Sequence, residues 1–340
     1  MNRRMWTLVV TLVPVLVFGV LMTSVAVPYV ALGPGPTFDT LGEVDGKQVV
    51  DIEGAEVHPT SGHLNMTTVS QRDDLTLVQA LVFWASGNDQ LIPRDLVYPP
   101  DKSREEVEEA NSRDFRESED SAEYAALDYL KYPMAITVES IAEDGPSEGK
   151  LQAGDAIVGV NNTPVANLDE FQAILKDTKP GDTVVVDYRR KNAPAGTVEV
   201  TLGEHPNGDQ GYMGVNVLDA PWAPFSIEFN LANIGGPSAG LMFSLAVVDK
   251  LTTGDLNGSK FVAGTGTITG DGKVGSIGGI THKIAAAADA GATVFLVPAE
   301  NCDEAKTADE NGIDLLKVET LGQAIDSMRT LSAGGEPPRC

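Results

Sequence analysis

Asn233-Ile-Gly-Gly-Pro-Ser-Ala-Gly-Leu-Met-Phe-Ser-Leu-Ala-Val-Val-Asp-Lys250 sets a glycine-rich turn directly in front of an apolar helix. Gly235 and Gly236 open backbone angles closed to other residues, and Pro237 suits a first helical turn, where its missing N–H costs nothing. Leu241 to Val248 are apolar nearly all round, which predicts a buried helix reaching a surface only at its N-terminal end, at Ser238. A hydroxyl there sits among unpaired N–H groups and a partial positive charge, the environment a developing oxyanion requires. A serine in this position also suits a plain helix N-cap, so the stretch alone leaves both roles open.

The chain has 340 residues, enough for two domains and an anchor. Lys and Arg total 24 against 49 Asp and Glu, a net charge of −25, which argues against nucleic acid or an anionic membrane surface as the main partner. Neither Cys302 nor Cys340 has metal-ligand spacing with the four histidines, so no metal or other cofactor is expected. The one disulfide open to a single chain joins the two cysteines, and the sequence leaves its formation undecided.

Arg3 and Arg4 precede an uncharged run whose strongly apolar part, Trp6 to about Leu32, is long enough to cross a bilayer. The expected topology is a cytoplasmic N-terminus with the body outside. A cleaved signal peptide is the rival, with Ser24-Val25-Ala26 as a small-residue site. Gly33-Pro-Gly-Pro-Thr37 reads as a breaker that ends the helix. Strands are expected at Gln48–Ile52 and Leu64–Ser70, and a helix over Leu75–Ala85. The dense, mostly acidic run from Asp101 to Glu123 reads as a solvated helix or a partly ordered arm.

Between Ala135 and Leu202, strands are expected at Ile136–Ile141, in the stretch ending at Asn161, at Thr183–Tyr188 and at Thr197–Leu202, with a helix over Leu168–Leu175. This plan resembles a PDZ domain, chiefly through Leu151-x-x-Gly-Asp-x-Ile157 and Val160-Asn-x-x-x-Val165. The resemblance implies a β-sandwich that takes an extended peptide as an added strand beside a helix. Tyr132-Pro-Met-Ala135 stands where the family has its glycine-rich carboxylate-binding loop, which speaks against capture of a free C-terminus.

Beyond the Ser238 helix, Phe261–Thr269 and Lys273–Ile277 read as a hairpin turned by Gly270-Asp-Gly272. A helix follows, with Thr281 as N-cap and Gly291 as its stop. Lys283 then lies in the first turn, where burial and the helix dipole disfavour an ammonium and suit a neutral general base. His282 and Lys273 are rival bases; His282 lacks an acidic neighbour in sequence, and Lys273 sits in a turn. Gly266 to Lys273 lacks phosphate-loop spacing, and residue 241 is Leu241, which excludes a Ser-x-x-Lys hydrolase motif.

Gly236-Pro-Ser-Ala-Gly240, Thr265-Gly-Thr-Ile-Thr269, Val274 to Lys283, Ala287 to Gly291 and Val294-Phe-Leu-Val-Pro298 together resemble the proteolytic domain of Lon-type serine peptidases, over about residues 210 to 328. With an anchor and a PDZ domain, the chain is similar to the family's stand-alone, membrane-anchored bacterial form. The resemblance implies Ser238 as nucleophile, Lys283 as general base and Thr265 as a hydroxyl holding the lysine. Gly235, Gly236 and Ser238 are expected to shape the turn and its oxyanion amides. Gly235 replaces the aspartate of many Lon enzymes, so a self-occluding role is not carried over.

The expected fold class is α+β: an anchor at 1–32, an extracytoplasmic region with an acidic helical arm at 33–132, a PDZ sandwich at 133–204, a Lon-type domain at 210–330 and a flexible tail at 331–340. The expected function is ATP-independent endopeptidase action on extracytoplasmic proteins or peptides chosen by the PDZ domain. The alternative is a non-catalytic PDZ scaffold with a degenerate peptidase domain. Expected partners are a protein or peptide substrate and the membrane, with no nucleic acid; a homo-oligomer is left open.

Overall fold

The computed structural model describes residues 3–87, 89–232, 234–308 and 312–340; Asn233 of the opening stretch lies outside them, as do the side chains of Arg3 and Arg4, on which the expected topology rests. Helix α1 (Arg3–Ser24) carries an apolar, unburied segment at Met5–Ser24 long enough to cross a membrane. The helix stops eight residues short of the expected Leu32. Tyr29–Asp39 is instead strand β1, in which Val30 and Ala31 are buried. The Gly33–Thr37 breaker cluster therefore lies inside this strand, at an irregularity in its pairing between Pro34 and Thr37.

Strands β2 (Val50–Glu53) and β3 (His63–Arg72) follow, then helix α2 (Leu77–Ser86), which is started by a capping box of Thr76 and Gln79. Strand β4 (Gln90–Pro93) leads to helix α3 (Arg104–Tyr129), capped by Ser103 and Glu106. The acidic run is thus an ordered helix with an inner face. Phe115, Ser118, Ala122, Ala125 and Ala126 recur at three- and four-residue spacing and are buried, while the charges take the outer side.

The next unit is a sheet of β5 (Met134–Ile141), β6 (Ala156–Val160), β7 (Thr183–Arg189), β8 (Gly196–Thr201) and β9 (Val215–Pro221), in the order β8-β7-β6-β5-β9, with helix α4 (Leu168–Lys176) against it. Its core is separate, built on Ile136, Ile157, Phe171, Val184 and Val200. The unit extends past the expected boundary at 204, because β9 pairs with β5 along its whole length. Residues 203–212 form a small hairpin.

Strand β10 (Ser226–Phe229) pairs with β2. Helix α5 (Gly240–Leu251), strands β11 (Phe261–Gly264), β12 (Thr267–Ile268) and β13 (Val274–Gly275), helix α6 (Ile280–Asp289), strands β14 (Val294–Pro298) and β15 (Asp314–Val318) and helix α7 (Leu321–Ser332) complete the chain. The long β11–β13 hairpin of the sequence reading is shortened to the β12–β13 pair, because β11 joins the larger sheet.

That larger sheet runs β15-β14-β11-β3-β1-β4. β11 lies parallel to β3, β14 lies parallel to β11 and β15 to β14, while β1 is antiparallel to β3 and β4. Three of its six strands thus come from residues 29–93, which sequence reading had set apart as a separate region. The PDZ-like unit interrupts this body between α3 and β10, and Trp222 N–H donates to Pro133 O (2.9 Å) where the chain leaves and re-enters.

Period-2 alternation splits the sheet's two faces. Val262, Val294 and Leu296 pack into the core of α3, α5 and α7, whereas Ala263, Phe295 and Val297 pack against Ile280 and Ile284 of α6. The expected flexible tail is held down: Cys302 and Cys340 form a disulfide, and Cys340 N–H donates to Leu315 O.

Candidate active site

Helices α5 and α6 lie on opposite faces of the sheet and turn their N-termini toward the end of β11. The helix after the opening turn begins at Gly240, with Ala239 as its cap, so Ser238 stands one residue ahead of the cap and does not serve as it. Gly236 adopts φ 86°, a left-handed conformation that glycine supplies without strain and that lets the turn close. α6 begins at Ile280 after Gly279 (φ 68°), displacing the expected Thr281 cap by two residues; Lys283 remains in the first turn.

Lys283 Nζ lies 2.7 Å from Ser238 Oγ and donates to Thr265 Oγ1 at 2.9 Å. Thr265 Oγ1 in turn donates to Ser238 O (3.1 Å), and Gly266 N–H donates to the same carbonyl (3.0 Å). Thr265, at the end of β11, is fully buried and Lys283 is 3% exposed, while Ser238 is half-buried at the edge of a cleft. Burial lowers the Lys283 ammonium from its ordinary value to about 8. The closed chain of bonds from lysine to threonine to the Ser238 carbonyl fixes the amine on the serine hydroxyl.

The rival bases stand elsewhere. Lys273 is 74% exposed and paired with Asp271 at 2.8 Å, which raises its pKa, first through the hydrogen bond. His282 is buried, its pKa lowered chiefly by desolvation, and its Nε2 has no hydrogen-bond partner among the described residues. Among those residues no group of three or more His, Cys, Asp and Glu side chains is placed to hold a metal.

The cleft has a volume of about 940 Å³. Phe38, Met66, Val69 and Phe115 give it an apolar wall beside Ser238, and the Ser276–Gly279 loop faces them. Sequence reading missed this wall, because β1, β3 and α3 reach it from far along the chain. It also missed the commitment of one turn amide: Gly236 N–H donates to Asn111 O of α3 (2.9 Å) and is not free for an oxyanion.

A second groove, of about 470 Å³, runs between α4 and β9 and is lined by Phe171, Leu175, Gly211, Gly214, Val215 and Val217. β9 is the sheet's edge strand, so its outer side is open to an added strand. The glycine-bearing turn at the head of this groove is Gly211-Tyr-Met-Gly214, with Gly214 at φ 77°. Tyr132–Ala135, the position expected of the carboxylate-binding loop, leads into β5, which is paired on both sides.

Residues 108–202 match the PDZ domain family, and residues 233–330 match the Lon protease (S16) C-terminal proteolytic domain. Lon protease 2 of Bacillus subtilis (strain 168) is 28% identical over 206 residues, covering 58% of this chain and 33% of that protein. The Lon protease of Roseiflexus castenholzii is 38% identical over 93 residues, 26% of this chain and 11% of that one. The chain thus spans a third or less of the length of these relatives. Among solved structures, the PDZ domain of an SdrC-like protein from Listeria monocytogenes is 25% identical, covering 24% of this chain and 86% of that one with a TM-score of 0.23.

Proposed function

From a chain that carries a Lon-type serine peptidase domain together with a PDZ domain, we propose an endopeptidase in which Ser238 is the nucleophile and Lys283 its general base. The observation that carries this reading is the 2.7 Å approach of a buried lysine amine to a serine hydroxyl at a cleft. The neutral amine takes the Ser238 proton as Oγ attacks the scissile carbonyl. The same proton then goes to the leaving amine, and a water hydrolyses the acyl-enzyme. Thr265 holds the lysine on its target, and the Ser238 N–H, which has no backbone acceptor among the described residues, stabilises the oxyanion.

The substrate is an extended polypeptide. The apolar cleft wall favours an apolar side chain next to the cut, and the α4–β9 groove holds a second segment by main-chain pairing along β9. Gly211 N–H is bonded to Thr178 O, so the Met213 and Gly214 amides are the ones left to meet a terminal carboxylate at the head of that groove. Cleavage needs no nucleotide, and Gly270–Gly272, within the glycine-rich run, is the bend of the β12–β13 hairpin.

Helix α1 fits a membrane anchor or a signal sequence. We favour the anchor, with the body on the outer side, and the Cys302–Cys340 disulfide suits that oxidising compartment. Incubating the purified chain with an unfolded protein, without nucleotide, tests the reading. Fragments from wild type and none from Ser238→Ala are expected; equal fragmentation by both would overturn it.

A further inference from the structure

The turn that carries Ser238 is gripped by α3, the helix that the charge pattern alone describes as a solvated arm. Ser118 Oγ donates to Pro237 O (3.0 Å), next to the bond from Gly236 N–H to Asn111 O. Ser118 is 4% exposed, so its hydroxyl points inward, away from the charged face of its own helix. Two glycines admit this approach. A Cβ on Gly235 would lie 2.9 Å from Asn111 Cβ, and one on Gly240 would lie 3.0 Å from Ser118 Oγ.

A trans peptide unit is planar, with its C=O and N–H pointing in opposite directions. Pro237 O belongs to the same peptide unit as Ser238 N–H, so a donor on α3 that fixes the carbonyl turns the amide away from α3. The two preceding amides offer no substitute: Gly236 N–H is bonded to Asn111 O, and Pro237 has none. We propose that Ser118 is a positioning residue which aims the Ser238 amide at the carbonyl oxygen under attack. This rests on the peptidase reading above. The effect belongs to the transition state, where negative charge forms on that oxygen, and not to the binding of the ground-state substrate.

Ser244 provides the control. Its Oγ also joins the two helices, donating to Ala122 O (3.2 Å) and to Gly240 O (2.8 Å), but it does not touch the Pro237–Ser238 peptide. Ser118→Ala and Ser244→Ala each remove one buried hydroxyl from the same interface.

The test uses the full chain in detergent, with kcat and KM measured on a fluorogenic peptide and amide hydrogen exchange followed over residues 234–239. Ser118→Ala is expected to lose kcat by about tenfold to a hundredfold, short of the full loss of an oxyanion donor, with KM within about twofold. Its pH midpoint should stay at the wild-type value, because the base is untouched, and exchange in the turn should quicken. Ser244→Ala should keep kcat within about twofold of wild type. Retention of more than half the wild-type kcat by Ser118→Ala, or an equal loss in Ser244→Ala, would overturn the proposal. If the wild type cleaves no peptide, the peptidase reading falls by itself. Exchange then decides whether Ser118 positions the turn: quickened exchange in Ser118→Ala supports it, and unchanged exchange overturns it.

Discussion

Lys283 Nζ meets Ser238 Oγ at 2.7 Å although Lys283 lies in α6 and Ser238 in the turn before α5, helices on opposite faces of one sheet. The meeting point lies past the end of β11, where Thr265 bonds to both residues. Lys283→Ala should therefore lower peptide cleavage by at least about a thousandfold with the melting temperature preserved, since nucleophile and base act as a unit. Lys283→Arg should be equally inactive, because a guanidinium keeps its proton at any working pH. Residual cleavage above a few per cent in either variant, measured with a fluorogenic peptide, would take Lys283 out of the mechanism.

The pH dependence follows from the same burial. A lysine acts as a base only when neutral, and burial lowers its pKa to about 8. Activity should rise with pH through a midpoint near 8 and level off above it, falling about tenfold per unit well below it. A pH–rate profile of kcat/KM checks this. A midpoint near the free lysine value, about 10.4, would contradict it, as would a profile abolished by His282→Gln.

The apolar run after Gly240, the hydroxyl ahead of it and a lysine in the first turn of α6 are local features, and local periodicity and turn chemistry made them legible. The architecture around them was not. β1 was obscured because Tyr29–Leu32 continues the apolar run of α1, and a strand buried in a sheet reads like the end of a membrane helix. α3 was obscured because its buried stripe is mostly alanine and serine, which carry little hydropathy signal among so many charges. The groove strand β9 lies beyond the motif-bearing part of the PDZ-like unit, so nothing in the sequence marked it as that unit's edge.

Excising the PDZ-like unit separates substrate selection from chemistry. Pro133 and Trp222 are already joined by a hydrogen bond, so a short Gly-Ser linker in place of residues 134–221 closes the catalytic body without a gap. Turnover of an unfolded protein should drop by about tenfold or more through loss of effective concentration, while a short peptide at saturation should be cleaved within about threefold of the wild-type rate. Comparing the two substrates decides the matter: equal losses would assign the unit a purely structural role.

The Cys302–Cys340 disulfide closes a loop that contains β15 and α7, with a sequence separation of 38. Cys302→Ser should lower stability by about 2–4 kcal/mol. Denaturant unfolding of the variant, compared with wild type under oxidising and reducing conditions, measures this. A variant as stable as the oxidised wild type would show that the bridge contributes nothing.

The central claim is tested most directly by labelling the intact chain with a serine-reactive phosphonate probe and locating the adduct by mass spectrometry. The pairing of Ser238 with Lys283 predicts one adduct, on Ser238, formed in the wild type and lost in Lys283→Ala. Labelling of Lys283→Ala at the wild-type rate, or an adduct on any other serine in place of Ser238, would contradict it.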